Sequence, residues 1–343
     1  MLPALTVPVA AAPMAGGPST PELVVAVSEA GGLGFLAAGY KPVEVVRDEL
    51  AAVRRLSDRP FGVNVFLPGP AAPDAAAVAA YRERLAPVAA RLGVEPGEPR
   101  WDDDAVDAKL AAVAGVPVVS LTFGCPSREQ VAALQAAGSA VVVTVTSVDE
   151  ARQAAVVGPD ALWVQGAEAG AHRGSFVDDE GTPPALPLLQ LLADIRAETD
   201  LTLVGAGGLM DAADVAAALE AGATWAGLGT AFLGCPEAGT HPTHLAALTD
   251  PRFDRTAMTR AFTGRSARAL VNAFLQEYDD VAPRGYPEVH HATRPLRTAA
   301  AAAGDADHLH LWAGQGWQRL RSMPAADLVR ALSAESLGSG TTR

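Results

Sequence analysis

Ala161-Leu162-Trp163-Val164-Gln165-Gly166-Ala167-Glu168-Ala169-Gly170-Ala171-His172-Arg173-Gly174-Ser175-Phe176 is the stretch on which the reading of the chain turns. Its front, 161–164, is a short apolar run with the bulk of a buried strand, and its back is rich in glycine. That is a strand end followed by an open loop. Gly166, Gly170 and Gly174 let backbone approach a flat ligand, because no Cβ stands in the way. His172 projects into that space a side chain that titrates near neutrality, suited to proton transfer or to a hydrogen bond with an anion. The plainer alternative is a surface histidine in a loop.

On both sides the same unit recurs. Apolar runs at 6–14, 33–38, 61–67, 116–123, 140–146, 161–165, 201–204 and 225–229 alternate with helical patterns, among them 42–56, 127–137, 147–157, 186–198 and 211–221. The first helix begins with Ser19 or Thr20 as cap and Pro21 in its first turn, and stops at Gly31-Gly32. Eight strands, each followed by a helix, predict an α/β fold: a (β/α)8 TIM barrel over residues 1–248. A Pro- and Ala-rich insertion near 69–104 carries a helix around 75–92, and a long connection runs over 177–187. Residues 249–343, with helical patterns at 266–276 and 325–333, form an additional smaller C-terminal helical domain or cap.

A chain of 343 residues that is 49% hydrophobic and 19% charged can bury a large core. With 26 basic and 39 acidic side chains its formal charge is −13, which repels phosphate backbones and argues against nucleic acid as a partner. An anionic ligand therefore needs a local device. The absence of an apolar run of about 18 residues argues against a membrane span, and the N-terminus reads as a first strand rather than a secretory leader. Cys125 and Cys235 are far apart and each precedes a proline, so neither forms a CxxC pair; the expectation is free thiols in a reducing, cytoplasmic setting. Cys125 as a nucleophile has no nameable partner. The pairs His241/His244, His290/His291 and His308/His310 lack a third ligand, so surface or capping roles are expected and no metal. His290 and His291 fall in the cap and are candidates for touching substrate. Asp102-Asp103-Asp104 is expected to open the next helix.

The loops after strands seven and eight, where such barrels commonly hold phosphate, are Gly205-Ala206-Gly207-Gly208 and Gly227-Leu228-Gly229-Thr230. Both offer bare backbone N–H groups, and the first leads into a helix whose positive end attracts an anion. Tight-turn glycine is the alternative for each loop alone. No GxxxxGK[ST] occurs, and Gly32-Leu33-Gly34 follows a helix and opens a strand, the reverse of a dinucleotide fingerprint. A flavin mononucleotide would account for the phosphate. Asn64 and Gln165, at strand ends three and six, would then meet the polar edge of the ring, and Met14 with Gly16-Gly17 would lie against its face.

These residues carry a resemblance. Ala12-Pro13-Met14-Ala15-Gly16-Gly17, Phe61-Gly62-Val63-Asn64, Glu168-Ala169-Gly170 with His172-Arg173-Gly174, Gly227-Leu228-Gly229-Thr230, Ala231-Phe232-Leu233-Gly234-Cys235-Pro236-Glu237 and Leu311-Trp312-Ala313-Gly314-Gln315-Gly316 together resemble the nitronate monooxygenases, formerly 2-nitropropane dioxygenases, of the bacterial class I type. The Glu-Ala-Gly-x-His-Arg-Gly core is the most specific part, and the likeness covers nearly the whole chain. It implies FMN, a TIM barrel with a smaller helical domain, and oxidation of alkyl nitronates by O2 to a carbonyl compound and nitrite. It also implies that His172 is the active-site histidine and that Asn64, Gln165, Gly170, Gly208, Gly227, Leu228, Gly229 and Thr230 hold FMN. Ala171 stands where the family usually has glycine.

His172 would either take the α-proton of a neutral nitroalkane or, when protonated, anchor the nitro oxygens. Glu168 and Arg173 read as tethers of the loop rather than catalytic groups. The rivals are a flavin-dependent enoyl-acyl carrier protein reductase or NAD(P)H:quinone reductase on the same barrel, and a non-catalytic binder of a phosphorylated ligand. Homo-oligomerisation, substrate identity and use of neutral nitroalkanes stay open at this point.

Overall fold

The computed structural model describes residues 1–179 and 184–334; part of the connection expected over 177–187 lies outside the described residues. Eight parallel strands form one sheet: β1 (Val9–Ala11), β2 (Phe35–Ala37), β3 (Gly62–Phe66), β4 (Val118–Thr122), β5 (Ala140–Val145), β6 (Ala161–Gln165), β8 (Thr202–Ala206) and β9 (Trp225–Leu228). Between β6 and β8 in the chain lies the two-residue β7 (Ala171–His172), which belongs elsewhere. The order β1-β9-β8-β6-β5-β4-β3-β2 closes where Ala10 bridges Leu33, with Ala11 N–H donating to the Leu33 carbonyl at 2.9 Å. The strands read as continuous apolar runs because both of their faces are covered. Alternation still sorts them. Phe35, Val142, Trp163, Val204 and Trp225 fill the barrel interior, where Phe35 and Trp163 meet edge to face, while Val143, Leu162, Val164, Leu203 and Ala226 turn outward to the helices.

The barrel helices are α1 (Pro21–Glu29) and α2 (Val43–Leu56), then the insertion helices α3 (Ala75–Arg84) and α4 (Ala86–Arg91), followed by α5 (Val106–Val113), α6 (Arg128–Ala136), α7 (Val148–Val157), α8 (Leu188–Arg196) and α9 (Ala212–Glu220). Their starts are written locally. The Thr20 hydroxyl caps α1, and Ser127 with Gln130 and Asp211 with Asp214 form reciprocal capping boxes on α6 and α9. The helix expected around 75–92 breaks at Leu85, where Pro87 in the first turn of α4 cannot supply an N–H.

After α10 (Pro242–Ala247) the chain departs from expectation. Residues 266–276 are not one helix: β10 (Thr256–Thr259) and β11 (Ala267–Leu270) form an antiparallel hairpin, and only α11 (Ala273–Tyr278) is helical. β11 also pairs with β7, so tertiary pairing overrides the helix preference of Ala267-Arg268-Ala269-Leu270. Then come α12 (Glu288–Ala303) and α13 (Ala325–Ala334). Phe262, Phe274, Tyr278, Val289 and Leu296 share one core with Val78, Tyr81 and Leu85 of the insertion, so insertion and tail build the cover together. Leu328, Val329 and Leu332 of α13 instead return to the barrel beside Leu23, Val27 and Val215. Among the described residues no helix is long and apolar enough to cross a membrane.

Candidate active site

The C-terminal ends of the barrel strands and the cover enclose a cavity of about 870 Å³. Met14, Asn64, Gln165, Gly170, His172, Gly207, Gly208, Gly227, Gly229 and Thr230 all border it. Leu228 does not. Along β9 the alternation turns Trp225 and Gly227 inward, whereas Leu228 lies in the outer core between barrel and helices, so its side chain is excluded from the site. Gly227 itself makes room for Trp163, because a Cβ there would stand 2.6 Å from the indole ring.

The loop around His172 is held from the cover. β7 pairs with β11, placing His172 opposite Ala267 and Ala171 opposite Arg268. Arg268 donates to the Ala167 carbonyl from Nη2 at 2.8 Å, and Arg265 donates to the carbonyls of Arg173 and Ser175. Gln165 binds the loop across its width, giving an Nε2 hydrogen to the His172 carbonyl at 3.0 Å and taking the Gly174 N–H at 2.7 Å. Glu168 accepts from the first amide of α8, Leu188, at 3.0 Å, in agreement with a tethering role. Gly170 and Thr230 receive the tail: the Thr230 hydroxyl takes the Gly314 N–H at 3.0 Å, and a Cβ on Gly170 would lie 2.5 Å from that nitrogen.

Asn64 accepts through Oδ1 from the hydroxyls of Ser120 and Thr122, each at 2.9 Å, which leaves its amide hydrogens as donors at the cavity wall. The imidazole of His172 is ringed by Phe123, Tyr286 and Trp312, with centroids 5.4–5.7 Å away, and its Nε2 lies 2.9 Å from the Thr263 hydroxyl. It meets solvent only partly, at the cavity. Burial first, and then the guanidinium charges of Arg265 and Arg297, push its pKa down to about 3. The ring is neutral near pH 7.

Arg297 reaches the same cavity from α12. It is 7% exposed, donates to the Thr293 hydroxyl and the His290 carbonyl, and has no ion-pair partner among the described residues. Burial pulls its pKa down to about 10, so it remains a cation. A chain with a formal charge of −13 thus carries unpaired positive charge at this site.

Three non-glycine residues with left-handed backbone, Tyr40 (φ 66°), Phe123 (φ 80°) and Ala171 (φ 61°), follow β2, β4 and β6 and all border the cavity. Such strain is held by surrounding contacts. For Tyr40 these include the Asp104 carboxylate on its N–H at 3.1 Å, ring stacking on His290 at 4.2 Å, and its hydroxyl against that of Tyr286 at 3.0 Å. Asp104 in turn lies 2.6 Å from the buried Lys109, and Asp102 holds His291 at 2.7 Å. As expected, 102–104 stands directly before the next helix, but its side chains do not cap it. The residue before α5 is Ala105, in left-handed conformation and with no side-chain cap, because two of the carboxylates are drawn off to the cover and to the turn after β2.

The histidines divide in the same way. His241 caps α10 and also borders the cavity, as do His244, His290 and His310, whereas His291 lies outside its wall. For His244 and His310 the surface reading was wrong. They come from segments whose sequence carries no sign of the fold-back that buries them. Thr263, Tyr286 and Arg297 likewise carry no mark in the sequence, because only packing of the cover brings them to the barrel mouth; Tyr40 stands there because it follows β2, but no motif marks it. Among the described residues no cluster of potential metal ligands occurs.

The sequence model of the nitronate monooxygenase family matches residues 2–335. Nitronate monooxygenase of Pseudomonas aeruginosa is 41% identical over 96% of each chain, and a probable nitronate monooxygenase of Bacillus subtilis 33% identical over 97% of each. Among solved structures, nitroalkane oxidase of Streptomyces ansochromogenes superimposes with a TM-score of 0.94 at 50% identity, covering 98% of this chain and 97% of that one. FabK of Thermotoga maritima, at 23% identity and a TM-score of 0.76, covers 97% of this chain and 93% of its own; it shares the fold. With an end-to-end family match and relatives this similar along their full length, the chain belongs to the nitronate monooxygenase family of flavin-dependent oxidoreductases.

Proposed function

We propose that this enzyme uses FMN and O2 to convert alkyl nitronates to a carbonyl compound and nitrite, and that it accepts neutral nitroalkanes when His172 first removes the α-proton. The observation that carries the reading is an imidazole on the wall of a large cavity that also takes in the guanidinium of Arg297, which has no ion-pair partner among the described residues.

The residues present fit a flavin. The free amide of Asn64 offers donors to the polar edge of the ring, and Gly16 has nothing within 4 Å of where its Cβ would stand. Gly207, Gly208, Gly229 and Thr230 border the same cavity at the ends of β8 and β9, where backbone N–H groups suit a phosphate. In this reading Met14, Asn64, Gln165 and Gly170 hold the ring, while Gly227 and Leu228 serve through backbone and packing. When bound, the flavin supplies the electron acceptor between nitronate and dioxygen. The protein contributes charge and a proton acceptor. Arg297 and Arg265 lower the energy of an anion formed or bound here, and burial, reinforced by the same charges, keeps His172 unprotonated, which favours the base role over that of a cationic anchor.

Replacing His172 by Asn tests this. Flavin content should be retained, and kcat/KM for a neutral nitroalkane should fall roughly 10²- to 10⁴-fold while that for the preformed nitronate falls much less. Equal loss on both would refute the base. Bleaching of the flavin by NADH under anaerobic conditions, with no response to nitronate, would refute the activity.

A further inference from the structure

The hydrogen bonds around Thr263 bear on which nitrogen of His172 can take a proton. Thr263 is 1% exposed, and its Oγ1 has three neighbours: the Arg265 N–H at 3.4 Å, the Arg265 carbonyl at 3.3 Å and His172 Nε2 at 2.9 Å. A hydroxyl has one hydrogen and two lone pairs. The amide can only donate and the carbonyl can only accept, so both are served together when the hydroxyl hydrogen goes to the carbonyl and one lone pair to the amide. In that arrangement the remaining lone pair faces Nε2, and Nε2 brings the hydrogen. We propose that Thr263 is a positioning residue that holds neutral His172 as the Nε2–H tautomer, leaving Nδ1 as the base.

The rest of the environment agrees. Nδ1 makes no hydrogen bond among the described residues, while the imidazole borders the cavity. Thr263 is itself held in the turn between β10 and β11, where its N–H donates to the Arg260 carbonyl at 3.2 Å. The strand that pairs with β7 and the hydroxyl that orients the ring thus come from one hairpin. A histidine whose orienting partner is lost keeps its place but divides its neutral form between two tautomers, only one of which presents a lone pair to substrate.

The inference rests on His172 acting as a base, so the experiment separates the two ideas. In flavin-loaded enzyme carrying 15N-labelled histidine, long-range proton–nitrogen correlation spectra report the tautomer of each ring, and comparison with His172→Asn identifies the signals of interest. The wild type should show Nε2 protonated and Nδ1 bare. Thr263→Ser keeps the hydroxyl and should preserve both the tautomer and the activity. Thr263→Val, of the same shape, should shift signal toward the Nδ1–H form. It should also lower kcat/KM for a nitroalkane about 10- to 100-fold, a part of what a positioned base contributes, with the nitronate reaction nearly unchanged. An Nδ1–H ring in the wild type, or a Val variant as active as the wild type on nitroalkane, overturns the proposal. Undiminished nitroalkane turnover by His172→Asn overturns the base reading instead, and the spectra still report on Thr263.

Discussion

Acid should weaken this fold through histidines that are buried as neutral rings, and His244 offers the cleanest measurement. Its Nε2–H donates to the Trp312 carbonyl at 3.0 Å, and the side chain is 9% exposed. Burial pushes its pKa down to about 4, from 6.5 for an unperturbed imidazole. Because the folded pKa is the lower, the unfolded chain binds a proton that the folded one refuses. The stability associated with this group is present above pH 6.5 and is lost as the pH falls toward 4. At pH 5 the unfolded ring is almost fully protonated and the folded one is not. The loss is 1.5 pH units at about 1.36 kcal/mol each, or about 2 kcal/mol. His244→Gln keeps a donor for the Trp312 carbonyl and removes the titration. Urea unfolding at pH 7.5 and pH 5.0, at equal flavin loading, should show a drop in stability about 2 kcal/mol smaller in the variant than in the wild type. Equal drops, within about 0.5 kcal/mol, would mean that His244 is not neutral in the fold and would refute the burial argument.

Other substitutions test the site more directly. Ala171→Gly should raise stability by about 0.5–1 kcal/mol in thermal unfolding, since a φ of 61° strains an L-residue by more than the extra entropy of glycine costs. Gly170→Ala sets a Cβ 2.5 Å from the Gly314 nitrogen and 2.6 Å from the Ala313 carbonyl carbon, both backbone atoms, so overpacking should cost about 1–3 kcal/mol and loosen flavin binding, read by denaturation and by flavin release on ultrafiltration. Asn64→Asp keeps the acceptor for Ser120 and Thr122 but removes the amide donors; flavin affinity should fall about tenfold or more, and unchanged affinity would take Asn64 out of the flavin site.

The local chemistry of the chain was enough for the barrel. Runs such as Ala140–Val145 can only be strands covered on both faces, the caps Thr20, Ser127 and Asp211 start helices by bonds to amides three residues away, and eight such units close on themselves. The glycine loops and the histidine at strand ends followed from the same short-range logic, and of the eleven site residues named from these loops and from the family resemblance, ten border one cavity. Leu228 missed by one position in the strand alternation, which sends it to the other face.

What tertiary structure alone decided is everything supplied from above the barrel. The hairpin of β10 and β11 reads as helix in isolation, and becomes a strand only because β7, nearly a hundred residues earlier, offers its edge. Thr263, Arg297 and His310 have no periodicity or motif that marks them; they meet because the insertion and the tail share one apolar core. Short-range order is fixed by bonds between neighbours in sequence, whereas the polarity of a cavity, and with it the charge state of His172, is the sum of groups that only long-range packing brings together.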